Sequence, residues 1–135
     1  MGLFSRNEKK KATGPMPWPE VTLPEPCIIA SDGEAGKVLD EMGSIQRAIM
    51  DGGSVNGAGN ELVSRAEGVV IYLLASGKNQ AEVFAKLVAP LSNWSMGRLF
   101  KFDPDDPEFE VGRYACAQAT DFRKKYQYLD PTNLD

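Results

Sequence analysis

Apolar side chains recur along this chain at the spacing of a helix in four separate stretches. Val38, Met42, Ile45 and Ile49 follow at offsets of four, three and four residues, and Leu39 and Met50 widen the stripe, which predicts a helix over roughly 33–51. Ser31 and Glu34 precede it at the spacing in which each side chain satisfies an orphan backbone donor of the first turn, and Asp51-Gly52-Gly53 closes it. A second stripe, Leu62, Ala66, Val69 and Leu73, predicts a helix over roughly 60–76. Its second half, Gly68 to Ala75, is apolar nearly all round and should form the central element. The run Val69 to Leu74 would also suit a buried strand, and the helical spacing before it decides for helix.

The third stretch, over roughly 80–90, starts at Asn79 with Glu82 in the capping relation and carries Val83, Phe84, Leu87 and Val88. Pro90 should kink or end it, because proline lacks the backbone donor and clashes with the preceding turn. The fourth, over roughly 107–128, puts Phe109, Cys116, Ala119, Phe122 and Tyr126 on its buried side. Arg123, Lys124 and Lys125 crowd its last turn, where cations meet the negative end of the helix dipole. The expected fold class is all-α: a small irregular four-helix bundle over residues 27–135, with an extended Pro-rich N-terminal arm over residues 1–26.

The arm differs in kind from the helical body. It holds Pro15, Pro17, Pro19, Pro24 and Pro26, five of the nine prolines, a pattern that excludes helix and favours an extended path. Met16, Trp18, Val21 and Leu23 within it are apolar, and a mere linker has little use for an indole. Two placements are open: against the core of the same chain, or against a neighbouring subunit. The segment Leu91 to Phe102 raises the same question, since its bulky residues would serve either as a lid on the core or as a patch facing a partner. The candidate partner-binding residues are therefore Met16, Trp18, Val21, Leu23, Trp94, Met96, Phe100 and Phe102.

Composition narrows the chemistry. The 135 residues are 42% apolar and 25% charged, enough for one folded domain with a packed core. The net charge of −4 hides an asymmetry: residues 1–14 carry Arg6, Lys9, Lys10 and Lys11 against Glu8, a balance of +3, which leaves −7 on the rest. So acidic a body repels phosphates, and any nucleic-acid contact would run weakly through the basic tail. The longest uncharged apolar stretch, Gly68 to Gly77, falls short of the ~20 residues of a membrane-spanning helix, so no membrane insertion is expected. Charged residues stand where the apolar core of a secretion signal would lie, which points to the cytoplasm or to a virus particle assembled there.

The chain contains no histidine, so it supplies no imidazole for a catalytic triad or a metal. Cys27 and Cys116 are far apart and lack the C-x-x-C spacing, which makes them structural thiols. Gly57-Ala58-Gly59-Asn60 completes no phosphate-binding pattern, and residues 51–60 read as a mobile connector. The five carboxylates between Asp103 and Glu110 lack the alternation and central glycine of a calcium loop. They suit a helix start instead, with Asp105 or Asp106 as cap and Glu108 and Glu110 facing the positive helix end. Glu67 is the one acid beside an apolar run, and a partly buried ion pair with Arg65 or Arg47 is expected. No catalytic set, cofactor or metal is expected. The functional expectation is a non-enzymatic assembly subunit whose partners are other protein subunits, copies of itself included. A virus or phage particle component is the nearest analogy. The alternative is a cytoplasmic regulatory adaptor that touches nucleic acid weakly through its basic N-terminus.

Overall fold

The structure, a computed structural model, describes residues 18–99 and 103–132. Their regular structure is all helical, with no strand among the described residues: α1 (Asp32–Met50), α2 (Ala58–Ala75), α3 (Gln80–Val83), a π-helical turn (Phe84–Val88), α4 (Ala89–Arg98), α5 (Phe109–Lys125) and a short 3-10 turn (Gln127–Leu129). No helix among the described residues is long and apolar enough to cross a membrane.

The local chemistry anticipated for α1 is present in detail. The Ser31 hydroxyl accepts the Glu34 N–H at 3.2 Å, and the Glu34 carboxylate accepts the Ala30 N–H at 2.7 Å, one residue earlier than in the usual reciprocal box. Ala35 and Met42 are buried, Ile45 and Ile49 are partly covered, and Leu39 and Met50 remain exposed, so α1 lies at the margin of the core. The core centres on α2, against which α1, α3, the π turn and α5 all pack. Leu62, Val63, Ala66, Val69 and Val70 of α2 are buried.

The third rod does not stop at Pro90. Helix runs without a break from Gln80 to Arg98, and the proline sits near the start of α4. The preceding turn explains how. The Ala89 N–H bonds to the Phe84 carbonyl, five residues back instead of four, so the helix is widened where the pyrrolidine ring would otherwise strike it. Leu91, Ser92 and Ser95 are thereby buried, and Trp94 packs against both apolar clusters of the core. One cluster is built around α2, Phe84 and Phe122; the other around Val55, Leu99 and Cys116.

Residues 51–57 are likewise more than a mobile connector. Val55 is fully buried, and its N–H donates to the Glu108 carboxylate at 2.7 Å, with Ser54 Oγ on the same oxygen at 3.3 Å. Glu108, expected to face the α5 dipole, instead anchors this loop. Capping ahead of α5 falls to Asp106, whose carboxylate accepts the Glu108 N–H at 2.8 Å, and the helix begins at Phe109. Gly57 opens α2 in the left-handed region (φ 79°), which a glycine adopts without strain.

Residues 22–27 lie on their own chain, alongside α2 and α5. Gln118 Nε2 donates to the Thr22 carbonyl at 3.1 Å and to Asn60 Oδ1 at 2.7 Å, the Ser64 hydroxyl donates to the Glu25 carbonyl at 2.7 Å, and the Cys27 N–H donates to the Ser64 carbonyl at 3.1 Å. Gly68 makes this seat possible: a Cβ there would meet the Cys27 carbonyl oxygen and sulfur at 2.5 Å. Gly68→Ala should therefore lift residues 25–28 from α2 and cost about 1–3 kcal/mol in urea unfolding, as overpacking does elsewhere. An unchanged midpoint would show that the segment is not held there.

Candidate functional site

The most unusual polar group lies inside the core. Glu67 projects from α2 with 1% of its surface exposed, and its Oε2 accepts the Tyr126 hydroxyl at 2.6 Å and the Lys125 ammonium at 2.5 Å. Its Oε1 is equally buried and has no hydrogen-bond partner. The expected partners are elsewhere. Arg65 binds Glu41 at 3.1 Å and the Glu61 carbonyl at 3.1 Å, and Arg47 binds the Ser44 hydroxyl at 3.2 Å. Residues two apart on a helix point in nearly opposite directions, so Arg65 and Glu67 cannot share a side of α2. Lys125, expected to serve the α5 dipole, carries its ammonium inward on its stem while the side chain stays 52% exposed.

This arrangement fastens the end of α5 to the centre of the fold. Burial, with the bond to Glu67 added, pushes the Tyr126 phenol well above its ordinary value of 10.0, so the hydroxyl remains a donor through the alkaline range. The Cys116 thiol is pushed up to about 12 by burial and donates to the Ser95 carbonyl at 3.2 Å, so it behaves as a structural thiol. At such burial Glu67 cannot meet a solute unless the helices part. Among the described residues no group of three or more acids or cysteines is placed to hold a metal ion. The depression at the start of α2, about 330 Å³, is lined by Asn60, Glu110, Tyr114 and Gln118, and the Glu110 carboxylate is paired with Arg113 at 3.1 Å.

The candidate partner-binding residues are dispersed by their packing. Trp18 and Met96 are exposed, and Val21 is partly covered. Leu23 packs against the larger apolar cluster and Trp94 against both, so these two support the core. Met16, Phe100 and Phe102 lie outside the described residues, as do Lys9, Lys10 and Lys11.

Sequence reasoning missed another surface. Ile28 is 95% exposed and Ile71 45%, and both border a depression of about 270 Å³ whose lining continues through Ile29, Gly68, Tyr72 and Ala75. The Tyr72 hydroxyl donates to Asp32 at 2.6 Å, which fixes the ring at the rim and raises its pKa. The sequence signal was present as an Ile-Ile pair just ahead of the Ser31 cap, and as an α2 apolar on too many sides to be fully covered. No family model, curated protein or solved structure matches the chain.

Tyr126→Phe leaves Glu67 without one of its two donors and should cost about 1–3 kcal/mol at neutral pH, read from urea unfolding. A phenol whose folded pKa is raised contributes stability that is complete below pH 10 and is lost as the pH climbs toward the folded value. The native protein should lose stability above pH 9, where the raised Cys116 and Cys27 thiols begin to count, and more steeply above pH 10; the Tyr126→Phe variant should lose it less steeply above pH 10, with Cys116, Cys27 and Tyr72 supplying the remaining slope.

Proposed function

We propose that this protein is a non-enzymatic subunit of a larger protein assembly: a small irregular four-helix bundle that docks through its N-terminal arm and through apolar side chains on its outer face. One observation carries the reading. Ile28 stands almost wholly in water beside the half-exposed Ile71 and an apolar depression, and it is the most exposed large apolar side chain among the described residues. Covering an aliphatic side chain of that size is worth about 1.5–3 kcal/mol, and a partner surface would recover it.

The ionisable groups support the same reading by what they do. Glu67 ties α5 to α2, Glu108 ties the first interhelical loop to α5, Arg65 joins α1 to α2 through Glu41, and Asp32 fixes Tyr72. Each is engaged in holding elements together. The basic, proline-punctuated arm ahead of a compact acidic body suits a virus or phage particle, in which arms lace neighbouring copies; this step is by analogy.

Size-exclusion chromatography with light scattering on an extract of the cells that make the protein should place it well above its 14.7 kDa monomer mass. Elution of all of it at the monomer mass would overturn the assembly reading.

A further inference from the structure

We infer that the depression bordered by Ile28, Ile71 and Tyr72 receives the proline-punctuated arm, residues 9–17, of a second copy of this chain. The inference rests on the assembly reading and names its surface and its partner. Three features of the surface select this occupant.

The first is shape and composition. An extended segment with prolines at alternate positions presents apolar rings and carbonyls along a preformed path, and such segments dock in shallow apolar grooves bordered by an aromatic ring. Here the ring is Tyr72, held by Asp32, and the apolar walls are Ile28, Ile29, Ile71 and Ala75. Pro15, Met16 and Pro17 supply the complementary residues.

The second is charge. Glu25, Asp32 and Glu34 are all exposed, and all belong to the backbone on either side of the Ile28–Ile29 pair. Lys9, Lys10 and Lys11 lie four to eight residues ahead of Pro15 and Pro17, so an arm with its prolines in the groove can bring cations to that acidic border.

The third is reach. Thr22 is pinned at the start of α2 by Gln118, which also binds Asn60. From Asn60 to Tyr72 is about 18 Å along a helix axis. The six-residue span from Met16 to Thr22 covers about 20 Å only at full stretch. The arm of the same molecule would have to run back, taut, over the course that residues 22–27 already occupy. A second copy meets no such obstacle, and reciprocal exchange about a twofold axis places each arm on the other body.

Sedimentation equilibrium of the full chain tests the proposal. The wild type should associate with rising concentration, and Ile28→Lys, a change at a side chain outside the core, should weaken association by about tenfold or more, since it removes an apolar contact and sets a cation against the lysines. Leu39→Lys, the same change at another exposed apolar site, should leave association unchanged; an equal loss there would overturn the proposal. Met16→Lys should weaken association as Ile28→Lys does. A mixture of the two should recover association in part, because the mixed pair keeps one intact arm seated in one intact groove, and no recovery would overturn the proposal. If the chain associates and Ile28→Lys has no effect, the groove is wrong and the assembly reading stands. If the purified chain remains monomeric throughout, exchange of arms between copies is wrong, and the native mass in the cell extract decides the assembly reading separately.

Discussion

The fold depends on one constraint, that α2 is too apolar to leave any broad side in water. Covering a rod of this kind takes more than one neighbour. α1 covers one side, α5 another, and α3 with the π turn a third, while residues 22–27 run along what remains. Gly59 and Gly68 allow two of these approaches. A Cβ at Gly59 would meet the Ala115 Cα at 2.9 Å, and one at Gly68 would meet Cys27 at 2.5 Å. Glycine in the middle of a helix, as at Gly68, costs about 1 kcal/mol in propensity, and here the close seat of residues 22–27 offsets it. Ile71 marks where the cover ends.

Glu67 shows a cost that this centre carries. A carboxylate at 1% exposure with one oxygen unpartnered is an expensive group to bury, and removing either donor from the other oxygen would make it more so. What the cluster secures is position. Tyr126 and Lys125 come from the last turn of α5, and the 3-10 turn beyond them brings Leu129 into the larger apolar cluster. The end of α5 is therefore registered on the middle of α2.

Much of the helical content was legible because it is local. The caps at Ser31 and Asn79, the stripe through Leu62 and Ala66, and the buried side of α5 through Cys116 and Phe122 each follow from spacing within a few residues. What could not be read depends on contacts between distant residues. Val55 is fully buried because a glutamate 53 positions later receives its N–H. Glu67 found Tyr126 and Lys125, 59 and 58 positions away, in place of the arginines nearer in sequence. The irregular apolar pattern after Pro90 has a nearer cause. The π turn holds one residue more than a regular turn, so the sequence beyond it is about 100° out of phase with the sequence before it, and a stripe sought at constant period is lost there. The surface around Ile28 escaped for another reason: two isoleucines before a cap look alike in sequence, and only the packing shows that Ile29 is partly covered while Ile28 stands 95% exposed.

Trp94 packs against both apolar clusters. A single rigid indole thus acts as a shared wall, and neither cluster can loosen without taking a face of it away from the other. Two cores with a common boundary of this kind melt as one cooperative unit, where two cores joined only by backbone would be free to open in turn.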